Sequence, residues 1–230
     1  MAPLPSAAPA VAAFDLDGTL TEGGSVVRWL TAVAGPRAVR RAVLSNLARL
    51  GVGAVRSGHW ADEGKEALFG DVLAGRPLAA VAGASVAFAD DHLRTHVRPE
   101  ILERLVAHLD REHVVVLVSA SPALYVHRIA TALGAHGAAA TDLEVDADGR
   151  LTGRYDGANC RGTEKLRKVR ALLDALGVGA TGPERPLYAY GNSRGDLRLL
   201  TAADRPVDVS KLGRLGRLRS FERLDAVPLD

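Results

Sequence analysis

The stretch Val11-Ala12-Ala13-Phe14-Asp15-Leu16-Asp17-Gly18-Thr19-Leu20-Thr21 decides how the rest of the chain is read. Four apolar residues, Val11 to Phe14, run into an acidic segment containing glycine, the pattern of a buried parallel strand ending in a polar loop. In a strand, residues two apart face the same way, so Asp15 and Asp17 are presented near one point where strand gives way to loop. In an open α/β sheet that place, outside the carboxyl end of a strand, is where ligands bind. Two neighbouring carboxylates repel and need a shared proton or a cation to coexist. A hard divalent ion such as Mg²⁺ converts the repulsion into binding energy. Asp-Gly after a strand is also an ordinary turn, so the acidic pair has two readings until the rest of the chain is considered.

Downstream of this stretch lies a long region rich in Ala, Leu and Val. Val26 to Ala34, Arg37 to Leu50, Trp60 to Leu73 and Leu78 to Leu93 each carry helical spacing, with Gly or Pro between them and no convincing strand. Pro99 to Leu109 reads as an amphipathic helix opening on Pro and Glu, both favoured in a first turn. Val114 to Val118 is a five-residue apolar run, four of them β-branched, which predicts a fully buried strand. Ser119-Ala120-Ser121-Pro122 is expected to start the next helix, which ends near Gly134. Leu143 to Tyr155 carries Asp148-Gly149 between alternating flanks, a hairpin signal. Thr163 to Leu176 reads as helix, Leu187 to Tyr190 as strand, Leu197 to Ala202 as helix and Pro206 to Val209 as a last short strand. Strands alternating with helices predict a parallel α/β sheet. The helical region between the first two strands is too long for one crossover and reads as an inserted cap.

Three further segments carry chemistry. Ser119 ends the strand Val114–Val118, where its hydroxyl and the backbone N–H groups at a helix start suit an anion; an ordinary N-cap serine has the same signature. Lys165, in Asn159-Cys160-Arg161-Gly162-Thr163-Glu164-Lys165, sits on the first turn of a helix, where the macrodipole disfavours a cation, so an anionic partner is expected nearby. Gly191-Asn192-Ser193-Arg194-Gly195-Asp196 follows another strand and offers an amide oxygen and a carboxylate, both suited to Mg²⁺. Each segment has a plain structural explanation by itself. One cause explains all of them together: an acidic pair, a hydroxyl, a lysine and an Asn/Asp pair fall at four successive strand or helix starts.

In this order and spacing the residues resemble the four motifs of the haloacid dehalogenase (HAD) superfamily of hydrolases, over nearly the whole chain. The helical insertion, Val118-Ser119-Ala120-Ser121-Pro122 and Asn159-Cys160-x-Gly162-x-x-Lys165 resemble its phosphoserine-phosphatase-like branch. The resemblance implies a Rossmann-like parallel sheet core at 11–21 and 96–230, a helical cap at 22–95 and a disordered tail at 1–10. It also implies Mg²⁺-dependent hydrolysis of a small phosphomonoester, with Asp15 as the nucleophile that becomes an aspartyl-phosphate and Asp17 as general acid and base. Ser119 and Lys165 would hold the phosphate, helped by the N–H groups of Gly18 and Ala120. Asp15, the Asp17 carbonyl, Asn192 and Asp196 would hold the metal. The chain departs from the pattern in two places. The fourth motif usually begins Gly-Asp, and Gly191-Asn192 removes one negative charge, which lowers the expected metal affinity. Phosphoserine phosphatases carry a Glu shortly after the first motif, where this chain has Gly24, with Glu22 two residues earlier. Phosphoserine is therefore not assigned as the substrate.

Two other readings use the same residues: a phosphotransferase working through the same intermediate, and a phosphate-binding regulatory protein without turnover. The chain has 230 residues, 47% hydrophobic and 24% charged, ordinary for a globular protein. A formal net charge of +2 gives no argument for nucleic acid or an acidic membrane surface. No window has the run of apolar residues that spans a membrane, so a cytoplasmic protein is expected; a small phosphorylated metabolite as its partner is what the resemblance implies. The single cysteine, Cys160, allows no internal disulfide and reads as a buried thiol, with no base arranged beside it. His92 and His96 have metal-ligand spacing but no third ligand, Trp60 and Phe69 read as cap core, and Lys211, Arg214, Arg217 and Arg219 form a basic stripe that reads as a solvated helix face.

Overall fold

Val11–Phe14 forms β1, and all four of its residues are buried. The structure, a computed structural model, describes residues 9–47, 59–210 and 221–229. Its strands are β1, β2 (Val114–Pro122), β3 (Gly137–Thr141), β4 (Leu143–Val145), β5 (Leu151–Tyr155), β6 (Leu187–Gly191), β7 (Arg205–Asp208) and β8 (Glu222–Arg223). Its helices are α1 (Val26–Ala34), α2 (Pro36–Ser45), α3 (His59–Leu73), α4 (Leu78–His96), α5 (Pro99–Leu109), α6 (Ala123–Ala132), α7 (Thr163–Ala175) and α8 (Leu197–Ala202). Residues 1–8 of the expected disordered tail, the basic stripe, the end of the helix expected to reach Leu50, and the Trp60 side chain lie outside the described residues. Ala10, also expected in the tail, is ordered, its carbonyl accepting from Val114 N (2.9 Å).

Six strands pair in the order β3-β2-β1-β6-β7-β8, all in parallel. Alternation along the strands divides the core. Ala12, Phe14, Val115, Leu117, Tyr188 and Tyr190 face α5 and α6, while Val11, Ala13, Val114, Val116, Leu187 and Ala189 face α7 and α8. With both faces covered, the strands read as continuous apolar runs. The chain builds outward from β1 through β2 to β3, then returns to the other side of β1 with β6. The crevice beyond the carboxyl ends of β1 and β6 is therefore the topological switch point of the sheet.

Local pattern and structure part company at two places beside this crevice. β2 does not stop at Val118: the strand runs on through Ser119, Ala120 and Ser121 to Pro122, with a register shift against β3, and α6 begins at Ala123. Ser119 is thus a strand residue and not a helix cap. The second place is β3, whose Gly-Ala-Ala-Ala-Thr sequence has little strand propensity of its own. It is extended because it completes the ladder beside β2, with Ala138 to Thr141 buried.

The helices α1 to α4 enter between β1 and α5. The chain leaves and returns side by side, Glu22 N donating to His96 O (2.8 Å) and Arg98 N to Leu20 O (2.9 Å). Trp29 of α1 is fully buried, its ring 6.0 Å from Phe69 of α3 and 5.4 Å from Tyr125 of α6, with Nε1 donating to Ser85 Oγ of α4 (2.8 Å). The hairpin β4–β5 turns through Asp146, whose Oδ1 accepts from the N–H groups of Asp148 and Arg150. Its Tyr155 packs edge-on against Phe69, so the hairpin supports α3 from below. No helix among the described residues is long and apolar enough to cross a membrane.

Candidate active site

Asp15 is the first residue past β1. Its backbone N–H still pairs with the Tyr190 carbonyl of β6 (3.0 Å), which fixes the point at which the side chain leaves the sheet. The following turn is closed by Gly18 N donating to Thr21 O (2.8 Å) and Thr21 N to Leu16 O (2.9 Å). Glycine is required at 18. Its φ is +80°, and a β-carbon there would lie 2.1 Å from Asn192 Nδ2. Arg98, buried, holds the turn by donating from Nη1 to Gly18 O (2.9 Å) and Val209 O (3.0 Å).

The centre of the site is a buried ion cluster. Lys165 Nζ, on the first turn of α7, donates to Asp15 Oδ1 at 2.6 Å and also to Asp196 Oδ1. The side chains are 2%, 8% and 1% exposed for Lys165, Asp15 and Asp196, so water does little to screen them. Burial and then the Asp196 carboxylate push the Asp15 carboxyl up to about 7, against the pull of Lys165. Burial also opposes the lysine charge, but Asp15 and Asp196 outweigh it and keep the ammonium protonated well above the usual lysine range. The other Asp196 oxygen accepts from the N–H groups of Asn192 and Ser193 and from Ser193 Oγ (2.7 Å), so the fourth segment is wound around that carboxylate. The anionic partners expected for Lys165 from its place on the helix are these two carboxylates.

Asp17, two residues on, is held separately, its Oδ1 accepting from Ser25 N (2.7 Å) and its Oδ2 from Ser121 Oγ (2.5 Å). Ser119 Oγ accepts from Ser121 N (3.1 Å), leaving its own proton for a ligand. The Ala120 carbonyl accepts from Lys65 Nζ (2.7 Å) and Thr141 Oγ1 (3.0 Å).

A cavity of about 280 Å³ joins these groups. Asp15, Asp17, Ser119, Ala120, Lys165 and Asp196 line it together with Asp62 and Lys65 of α3 and Asn159, Cys160 and Arg161 before α7. Of the residues expected from sequence, Gly18 and Asn192 stand behind the lining: the Gly18 N–H is engaged by Thr21, and Asn192 Oδ1 accepts from Thr19 Oγ1 (3.3 Å). Cys160 lies buried with its thiol pushed up to about 11 by burial, a poor nucleophile. His92 and His96 stack on one another at 4.7 Å, and Phe69 is buried core.

Lys65 and Asp62 carried no sequence signal. They sit in an insertion helix with little helical amphipathicity, and only its packing over the crevice brings them in. Lys65 Nζ reaches Asn159 Oδ1 (3.2 Å), Asn159 Nδ2 donates to Asp62 Oδ1 (2.5 Å), and burial pushes the Lys65 ammonium down to about 8 against the pull of Asp62.

The donor set fits a hard divalent cation. Asp15, Asp17 and Asp196 bring three carboxyl groups to one cavity, with Lys165 as the cation bonded to two of them. Burial first and the Asp196 carboxylate second raise the Asp15 carboxyl, and a bound cation would relieve both. The carboxylates of Asp15 and Asp196 and the Asp17 carbonyl are oxygen donors of the kind Mg²⁺ takes. The amide oxygen of Asn192, which accepts from Thr19 behind the lining, would have to turn to join them. Among the described residues no three His, Cys, Asp or Glu side chains are grouped to hold a metal ion by themselves.

The site is thus a carboxylate at the switch point of a parallel sheet, bonded to a buried lysine and lined in part by helices that enter between β1 and α5. The haloacid dehalogenase-like hydrolase family matches residues 12–201, and the chain belongs to it. It is 32% identical over 208 residues to protein CicA of Caulobacter vibrioides, covering 85% of this chain and 84% of the relative. It is 31% identical over 230 residues to phosphoserine phosphatase SerB1 of Mycobacterium tuberculosis, covering 94% of this chain and 70% of that protein. A crystal structure of a protein of unknown function from Bordetella pertussis superposes with a TM-score of 0.76 at 28% identity, over 94% of this chain and 97% of that one.

Proposed function

We propose that this hydrolase removes the phosphate from a small, polar phosphomonoester by way of an aspartyl-phosphate on Asp15, with Mg²⁺ as cofactor. The observation that carries the reading is the Asp15–Lys165–Asp196 cluster on the floor of a cavity that Asp17 also faces. The resemblance to a relative named phosphoserine phosphatase supports the reaction class, while Gly24 gives no carboxylate for an ammonium.

In this scheme the Asp15 carboxylate attacks phosphorus in line with the leaving oxygen. Asp17 gives a proton to the departing alkoxide and then takes one from the water that hydrolyses the intermediate. Ser119 Oγ and Lys165 Nζ hold the phosphoryl oxygens, and Lys165 also pairs with Asp196. Bound by Asp15, the Asp17 carbonyl, Asn192 and Asp196, Mg²⁺ would supply the charge that lets an anionic nucleophile approach an anionic substrate. We assign residues 22–95 as a cap, which excludes bulk water and limits substrate size; a cavity of about 280 Å³ has room for a phosphate and a few further heavy atoms. Asp62, Lys65, Asn159 and Arg161 bring further polar and charged groups to its lining, suited to a polar leaving group.

The test is phosphate release from a panel of small phosphomonoesters with and without Mg²⁺, using Asp15→Asn as the blank. The reading expects Mg²⁺-dependent release by the native protein and none by the variant. Release that survives in Asp15→Asn refutes the aspartyl-phosphate.

A further inference from the structure

A chain of buried hydroxyls links the inserted helices to Asp17. Ser25 stands at the N-cap position of α1, where a serine ordinarily bonds the N–H groups of its own helix, yet it makes no such cap. Its Oγ lies instead 2.7 Å from Tyr125 OH and 3.3 Å from Ser121 Oγ, and Ser121 Oγ donates to Asp17 Oδ2. All three hydroxyl residues are buried: Ser25 and Tyr125 at 0% exposure and Ser121 at 1%.

The direction of the chain follows from its end. A carboxylate only accepts, so Ser121 donates to Asp17, Ser121 accepts from Ser25, and Ser25 accepts from Tyr125. Burying three hydroxyls is costly unless each finds a partner, and a satisfied network holds one geometry. The members come from three elements: Ser25 opens α1, Ser121 closes β2 and Tyr125 lies on α6. The Tyr125 ring is covered from the insertion by Trp29 (5.4 Å) and Phe88 of α4 (5.1 Å). The second oxygen of Asp17 also depends on the insertion, through the Ser25 N–H. Lifting α1 away would remove one donor from Asp17 outright and break the link to Tyr125.

We propose that Ser25, Ser121 and Tyr125 are positioning residues that aim the Asp17 carboxyl at the leaving group. The proposal rests on the reading of Asp17 as the proton donor and adds to it the groups that fix where its carboxyl points.

Leaving-group chemistry separates this role from general structural support. An alkoxide needs a proton as it departs, whereas a carboxylate leaves without one, so misaimed Asp17 lowers kcat/KM, which reports transfer to Asp15, for alkyl phosphates alone. Its effect on hydrolysis of the intermediate is common to both substrates and falls on kcat. The experiment compares kcat/KM for glycerol phosphate and for acetyl phosphate, two small esters that transfer the same group to Asp15. It uses the full chain and the variants Ser121→Ala, Tyr125→Phe and Ser85→Ala. Ser85→Ala removes the partner of Trp29 Nε1 within the same packed cluster without touching the hydroxyl chain. Ser121→Ala and Tyr125→Phe are expected to lose about tenfold or more on glycerol phosphate and less than about threefold on acetyl phosphate, a part of the range that general acid catalysis supplies. Ser85→Ala is expected to change both esters by one common factor. Equal losses on the two esters in Ser121→Ala and Tyr125→Phe, or no loss, overturn the proposal. Should Ser121→Ala fail to fold, Tyr125→Phe, which removes one oxygen, decides alone. A native protein that turns over neither ester overturns the phosphatase reading, and the positioning role falls with it.

Discussion

Replacing Lys165 with Met keeps the length of the side chain and removes its charge, leaving Asp15 and Asp196 facing each other in the interior. The three side chains are at most 8% exposed, so solvent does not take over the neutralisation. Breaking a buried ion pair by deleting one partner costs about 3–5 kcal/mol. Relaxation of the loop around Asp196 favours the lower end, about 3 kcal/mol, which for a chain of this size is a fall in Tm of about 6–12 °C. The pH dependence makes the test specific. A carboxyl raised above its ordinary value of 3.8 contributes stability at low pH that is lost as pH rises through the folded value, and for Asp15 that value is about 7 with Lys165 present. Without the lysine it stands higher still. Below that range a neutral Asp15 needs no counter-charge; above it, two carboxylates must ionise side by side. The deficit of Lys165→Met relative to the native protein, measured by thermal or urea unfolding of the metal-free protein, is therefore expected to grow as pH rises above about 7, where native Asp15 has already ionised and that of the variant has still to do so. Adding Asp196→Asn to the variant is expected to recover part of the loss, since it removes the nearest like charge. A deficit below about 0.5 kcal/mol at every pH, or one that grows on acidification, refutes this account of the cluster.

Three further outcomes follow from other buried groups. His108, with Nε2 2.7 Å from Tyr190 OH and Nδ1 2.8 Å from His113 Nδ1, is pushed by burial from the ordinary 6.5 down to about 3. Its unfolded form binds a proton first, so stability is expected to fall as pH drops below about 6.5, by about 2 kcal/mol at about pH 5 from this residue alone, and urea midpoints measured across that range check it. His92 is 1% exposed with both ring nitrogens unpartnered, so His92→Leu is expected to leave the Tm unchanged or to raise it, by about 1 kcal/mol in unfolding experiments. Gly18→Ala forces a β-carbon against Asn192 at a backbone φ of +80° and is expected to cost at least about 1–2 kcal/mol in stability while lowering phosphate release.

The sequence by itself determined the features that are written locally. The run Val11–Phe14 ending at Asp15 announces a buried strand that stops at a polar loop, and strand and helix signals alternate after it in the order the parallel sheet uses. The candidate residues Asp15, Lys165 and Asp196 are legible because each sits at a strand end or helix start, a place marked by periodicity and turn chemistry within a few residues. Ser119 is legible because the apolar run Val114–Val118 stops at it, although the strand itself continues to Pro122. What only the tertiary structure decided are relations between residues far apart in the chain. Lys165 meets Asp15 across 150 residues, Ser25 meets Tyr125 across 100, and Lys65 meets the Ala120 carbonyl across 55. No local pattern encodes such pairings, since they arise from how the sheet and the insertion pack. The same holds for secondary structure that packing imposes. Ala138 and Ala139 are extended because β2 offers them a ladder, and Ser119 to Ser121 stay in the strand as an irregularity between the pairs Val118–Ala139 and Pro122–Thr141. Side-chain period reports which face of an element is buried; the identity of the group that meets it across the crevice is settled only when the whole chain is folded.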